Sequence, residues 1–340
     1  MKPSMRSVLI ITIGLLIVLL IVPSVVVQFL PHGAGQAAGE VVQLKRPDPG
    51  EAPVPDIMVR VYRTNTKTIE KVPLEEYVRG VVASEMPHDF ELEALKAQAM
   101  AARTYIIRRL IEKDFNDAPE GADVRDDTGH QVYQNEAELR RRWGKAYAHK
   151  ISRINQAVNE TRGKVITYQG KPIDATFFST SNGYTENSED YWGKQIPYLR
   201  SVESPWDKES PRFEQQMRFS LDEFQQKLGV QLSLPASSGQ PFAEIVSRTE
   251  GQRVKEVQVG DRTFTGREIR ELLGLPSSDF QWTIAGNEVV ITTAGYGHGV
   301  GLSQYGANGM AKEGYTADDI VRYYYQDVAI EDYRQWIVKK

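Results

Sequence analysis

Pro73 and Pro87 bracket a stretch that can fold in few ways. Between them Leu74, Tyr77, Val78, Val81 and Val82 recur at three- and four-residue spacing, which predicts a helix with these side chains turned toward a core. Pro87 disfavours helical backbone at Met86, so the helix is expected to stop there. Glu85 falls on the same face, one turn past Val81 and Val82, and the apolar stripe therefore ends in a carboxylate. A carboxyl held against apolar side chains has its charged form disfavoured, so its pKa rises and it can carry a proton at neutral pH. That is what a general acid requires. The rival placements are a Glu85 solvated at a fraying helix end, or one paired with Arg103 of the following helical run, Leu92 to Ile111.

The N-terminus restricts where such a domain can work. Val8 to Leu30 is 23 residues without a charge, preceded by Lys2 and Arg6. It is long enough to cross a hydrocarbon layer of about 30 Å, and the basic residues put its start on the cytoplasmic side. A cleaved signal peptide would have a shorter apolar region of about 7 to 15 residues, although Ala34 to Gly39 offers small residues to a peptidase. The expectation is an uncleaved anchor over 1–30, with the remainder outside the cytoplasm. Residues 31–56, rich in Pro and Gly, read as a linker. With a net charge of -4 the chain gives no support for a nucleic-acid partner, and with no cysteine it has neither disulfides nor a thiolate nucleophile.

Beyond the linker the pattern is mixed, which predicts one α+β domain over 57–335 with helices and β-hairpins around a groove. Ile57–Arg63 and Lys67–Val72 read as strands leading into the Glu85 helix, and Glu136–Thr161 as an amphipathic helix or helix pair. Gly163–Phe178 reads as a hairpin turning at Gln169-Gly170, running into the polar loop Ser179-Thr-Ser-Asn-Gly-Tyr-Thr-Glu186. Loops of that kind supply hydrogen bonds to substrates, and the nearby Tyr191-Trp192 rings suit sugar faces. Residues 207–280 read as an inserted elaboration with two short helices and a hairpin over Gly260-Asp261, and show no chemistry. Last comes Gly295-Tyr-Gly-His-Gly-Val-Gly-Leu-Ser-Gln-Tyr-Gly306, whose alternating glycines predict a backbone edge bare enough for a bulky ligand, with His298 in its middle. It matches neither a dinucleotide fingerprint nor a phosphate loop.

Four of these segments carry a resemblance. Ala83-Ser-Glu-Met-Pro87, Lys96-Ala-Gln-Ala-Met-Ala-Ala-Arg-Thr-Tyr105, Ser179 to Glu186 and Gly297-His-Gly-Val-Gly-Leu-Ser-Gln-Tyr-Gly-Ala307 together resemble the stage II sporulation protein D family, in order and spacing. The resemblance implies a membrane-anchored lytic transglycosylase that cleaves peptidoglycan glycan strands during forespore engulfment. Its substrate would be glycan stripped of stem peptides by a partner amidase, with a third membrane protein in the complex. It carries the catalytic role to Glu85 and substrate contacts to Ser179, Ser181, Asn182, Tyr184, His298, Ser303 and Gln304, with Tyr184 or His298 as candidates to assist the acid. Some family members have a Cys/His cluster suited to zinc where this chain reads Asp123 to Tyr133, with His130 and no cysteine, so no structural zinc and no cofactor are expected. Most glycosidases need two carboxylates, whereas a lytic transglycosylase can work with one. The rival readings are a non-catalytic glycan-binding activator of an amidase and a tethered scaffold for the engulfment complex.

Overall fold

A computed structural model describes residues 41–45, 57–232 and 243–337. The apolar run at 8–30 lies outside them, and among the described residues no helix is long and apolar enough to cross a membrane. From Val42 onward the chain forms one compact unit of mixed helices and small sheets.

Strands β1 (Met58–Arg63) and β2 (Thr68–Pro73) pair antiparallel, with Val59 opposite Val72. Pro73 then occupies the N-cap position of helix α1 (Leu74–Glu85), whose five stripe residues are all buried. Met86 is extended at φ -117° and ψ 147°, the conformation that Pro87 imposes on its predecessor. Helix α2 (Leu92–Glu112) runs through the middle of the main core. Its Ala94, Ala97, Ala99, Ala101 and Ala102 are buried, and such short side chains let several elements approach it closely. The short strand β3 (Val124–Arg125) joins β1 in parallel.

The region 136–160 is a helix pair. Helix α3 (Glu136–Trp143) starts at an Asn135/Glu138 capping box, a 3-10 turn follows at Gly144–Ala146, and α4 (Tyr147–Glu160) buries Ile151, Ile154 and Val158. Part of the expected linker is tied down on α4: Val42 N–H donates to Ser152 Oγ, and Asn155 and Asn159 donate to the carbonyls of Val42 and Gln43. The remainder of 31–56 lies outside the described residues.

The hairpin expected over 163–178 is only partly present. Strand β4 (Lys164–Tyr168) turns at Gln169-Gly170 into a two-residue β5 (Lys171–Pro172). Ile173 and Ala175 are then drawn into the core, and β6 (Phe177–Phe178) pairs instead, in parallel, with a strand far along the chain. A one-turn helix α5 (Ser188–Trp192) and a 3-10 turn (Pro205–Glu209) complete this stretch.

The elaboration carries a second core. Strand β7 (Glu214–Ser220) and helix α6 (Leu221–Leu228) are followed by the antiparallel β8 (Ala243–Arg248), β9 (Val254–Val259) and β10 (Arg262–Thr265), and by helix α7 (Gly266–Leu273). Strands β11 (Asp279–Ala285) and β12 (Glu288–Ala294) complete a sheet of order β11-β12-β7. Phe219, Phe224, Val257, Ile269, Phe280 and Ile291 pack together there, so the strand that feeds the glycine-rich segment belongs to this second core. The chain returns through β13 (Leu302–Ser303, the partner of β6), α8 (Gln304–Lys312), α9 (Ala317–Tyr324), β14 (Ala329–Asp332, paired with β4) and a final turn, α10 (Arg334–Ile337).

The glycine segment differs from expectation in what its bare edge faces. Gly295, Gly297, Gly299 and Gly301 all have positive φ, which favours glycine over any other residue. A Cβ on Gly301 would lie 2.2 Å from the Thr176 carbonyl, and one on Gly299 2.3 Å from the Arg253 guanidinium. The missing side chains admit the protein's own residues, and the segment is packed into the fold.

Candidate active site

Glu85 ends the apolar stripe of α1, half-buried, where the chain leaves the helix. Its Oε1 accepts the Val132 N–H at 2.7 Å. Gly80 makes that contact attainable, because a Cβ there would strike the Tyr133 ring at 2.4 Å and the Gln134 carbonyl at 2.6 Å. The segment 131–134 is pinned against α1 by Tyr133 stacked on Tyr77, ring centroids 5.4 Å apart, and by the Tyr77 hydroxyl donating to Gln131. Arg103, the alternative partner for Glu85, is fully buried and pairs with Glu75 at 2.7 Å. No cation pairs with Glu85 among the described residues. Burial pushes its carboxyl up to about 7, against the opposing pull of the Val132 N–H.

Glu85 opens into a cleft of about 650 Å³. One group of its lining residues comes from 84–87, Tyr105, 128–132 and Arg142, and another from 175–179, Arg212, 296–298 and Gln304-Tyr305. The β6/β13 pair joins the two late segments, with the Tyr305 N–H bonded to the Ser179 carbonyl at 3.1 Å. Among the described residues lining the cleft, Glu85 is the one carboxylate.

Of the residues singled out from the sequence, the fold brings Glu85, Ser179, His298 and Gln304 to this cleft. His298 Nδ1 accepts the Val300 N–H at 3.1 Å, and the ring lies against Phe178, Tyr191 and Trp192 at centroid distances of 5.5 to 5.7 Å. Burial, with Arg270 and Arg253 nearby, pushes its pKa down to about 3 despite a hydrogen bond to the Phe177 backbone, so the imidazole is neutral at working pH. It offers a surface and a dipole rather than a proton. Gln304 is anchored by a long hydrogen bond to Gln98 at 3.4 Å.

The other four lie outside the cleft lining. Ser181 and Ser303 are buried and spend their hydroxyls on Asp207, at 2.8 and 2.5 Å. Asp207 also accepts from the Ser181 N–H and the Ser204 hydroxyl, and burial raises its pKa against those bonds. This hub ties the loop at 179–182 to the start of α8, for which Ser303 is the cap. Asn182 donates to Asp279 and the Gly251 carbonyl. Tyr184 is exposed, and its carbonyl accepts from Arg253. In the region of the absent Cys/His cluster, His130 Nδ1 accepts the Arg125 N–H, while Asp123 and Asp126 hold Arg60 and Thr64. Sequence reasoning passed over Gly80, Arg142, Asp207 and Arg212. An isolated glycine within a helical pattern was the one available signal for the first; nothing local marked the others.

A family model described as Stage II sporulation protein matches residues 62–168. The stage II sporulation protein D of Bacillus subtilis (strain 168) is 52% identical over 81% of this chain and 79% of its own length. That of Bacillus amyloliquefaciens is 46% identical over 98% of both chains. The chain belongs to the stage II sporulation protein D family. Its biological setting is therefore sporulation, and the matched stretch contains both the Glu85 helix and the segment that clamps it. A more distant relative, the amidase enhancer of Bacillus subtilis, is 28% identical over 75% of this chain and 40% of its own length.

Proposed function

We propose that this stage II sporulation protein D family member is a lytic transglycosylase that cleaves denuded peptidoglycan between N-acetylmuramic acid and N-acetylglucosamine. The observation that carries the reading is a cleft lined, among the described residues, by a single carboxyl, whose pKa of about 7 suits it to hold a proton and then to give it up. Glu85 donates its proton to the bridging oxygen as the bond to the anomeric carbon breaks. The C6 hydroxyl of the same muramic residue attacks that carbon, and the Glu85 carboxylate takes the hydroxyl proton as the 1,6-anhydro ring closes. The acid is regenerated and no water is consumed. One carboxyl at two successive moments replaces the pair that hydrolysis requires. In this reading the neutral His298 ring and Gln304, which both line the cleft, contact the sugar.

In this reading residues 8–30 anchor the protein in the membrane with the catalytic domain outside the cytoplasm. An amidase supplies the stripped strands, and a third membrane protein shares the complex. The second reading, a non-catalytic glycan-binding activator of an amidase, draws on the likeness to the amidase enhancer.

The test is mass spectrometry of soluble products after incubating the full chain, or its Glu85→Gln variant, with amidase-treated peptidoglycan. The expected result is anhydro-muramic ends with the native chain and a loss of about 10²- to 10⁴-fold in the variant. Reducing ends in their place would make the protein a hydrolase. Unchanged amidase stimulation by the variant, with no product from either protein, would favour the activator.

A further inference from the structure

The charge of the cleft runs against the charge of the chain. The protein carries a formal net charge of -4, yet among the described residues the cleft presents two guanidinium groups, Arg142 and Arg212, and no carboxylate but Glu85. Both arginines are exposed, and neither makes an ion pair among the described residues. Nearby, Arg140 of α3 and Arg79 of α1 both pair with Glu136. Each cleft arginine is nevertheless held in place. Arg142, in the last turn of α3, donates to the Gln134 side-chain oxygen at 3.0 Å, beside the segment that clamps Glu85. Arg212 lies over the Tyr296 ring, 4.6 Å from its centroid. Its backbone N–H donates to Ser210 Oγ, which is bonded to Thr180 in the loop following β6. A guanidinium stacked on a ring or bonded to one neutral amide keeps most of its donors free for an anion.

Muramic acid carries a lactyl ether on its ring. While a stem peptide is attached, the lactyl carbonyl is a neutral amide; once an amidase has cut that amide, it is a carboxylate. We infer that Arg142 and Arg212 read this free lactyl carboxylate and so restrict the cleft to glycan already stripped of its peptides. The inference rests on the glycan reading above and adds to it the residues that set specificity. Guanidinium and carboxylate match as planar two-pronged partners, and a hydrogen bond between charged groups is roughly twice as strong as one between neutral groups. A denuded strand repeats the carboxylate at every disaccharide.

The test compares denuded strands with the same strands after carbodiimide coupling to ammonia, which turns each lactyl carboxylate into a neutral amide without restoring a peptide. Binding is measured on full-length Glu85→Gln protein, which keeps the cleft but should leave the strands intact. Amidation is expected to weaken binding by about 10- to 100-fold. Adding Arg142→Gln and Arg212→Gln should lose the same factor on denuded strands and become indifferent to amidation. Equal binding of denuded and amidated strands with both arginines present would overturn the inference and leave the transglycosylase reading standing. So would a double arginine variant that still discriminates between them. Failure to bind either glycan with both arginines present would overturn the glycan reading and this inference together. Arg142→Lys with Arg212→Lys guards against misfolding as the explanation, since it keeps the charge and should restore part of the discrimination.

Discussion

Helix α1 carries Glu75 and Glu76 in its first turn and Glu85 at its last residue, and the fold treats Glu75 and Glu85 oppositely. Glu75 is buried and meets the fully buried Arg103 through two hydrogen bonds, at 2.7 and 3.1 Å. It also stands at the helix N-terminus, where the backbone dipole favours negative charge. Glu85 stands at the C-terminus, where the dipole disfavours it, with one backbone N–H for company and no cation among the described residues. Two carboxylates on the same element, ten positions apart, are thus set to different tasks by their surroundings. The Glu75 pair joins α1 to α2, while Glu85 is held near the pH at which it can exchange a proton. Arg103, which the sequence left open as a partner for Glu85, goes to Glu75 at the opposite end of the helix.

The comparison can be broken most forcefully at Glu75. Glu75→Gln leaves Arg103 buried without a counter-charge and should destabilise the fold by about 3–5 kcal/mol, read from denaturant unfolding. A loss below about 1 kcal/mol would mean that the pair does not hold the two helices together. Glu85→Gln should act in the other direction. The amide can still accept the Val132 N–H, and it removes a carboxylate whose pKa the fold raises from 4.5 to about 7. Between those values the folded chain keeps a proton that the unfolded chain has released, so native stability falls as pH rises and remains lower above pH 7. The variant should therefore be more stable at pH 8, by on the order of 2 kcal/mol, and indistinguishable near pH 4. A destabilised variant at pH 8 would contradict the raised pKa. The smallest effect is a titration. Under the proposed mechanism, initial rates of anhydro-product formation should decline on the alkaline side with a midpoint close to pH 7, as Glu85 loses the proton that this mechanism has it donate. A midpoint near 4.5 would show the carboxyl to be as solvated as any surface glutamate.

Much of this was legible from local pattern. The α1 stripe, its stop before Pro87, the helix pair at 136–160 and the short helices and hairpin of the elaboration all follow from spacing and from proline and glycine positions. The site was legible in part. Glu85 was accessible because apolar periodicity and a stop signal fall on one short stretch. Ser181 and Ser303 illustrate the limit: a hydroxyl in a polar loop suits a sugar or a buried carboxylate equally well, and Asp207, which claims both, lies 26 and 96 residues away. The alternating glycines carried a true signal of close approach, but an approach by Thr176 and Arg253 leaves the same trace in sequence as an approach by a ligand.

By itself the sequence determined which face of each element is apolar, where the helices stop, and that a carboxylate terminates the stripe of α1, because those properties depend on neighbours within a few residues. Only the tertiary structure decided that Arg103 goes to Glu75, that Val132 is the partner of Glu85, and that Arg142 and Arg212 share a cleft with it. Those outcomes depend on segments tens to hundreds of residues apart meeting in a low-dielectric interior. There, one ion pair or hydrogen bond outweighs anything that local propensity can express.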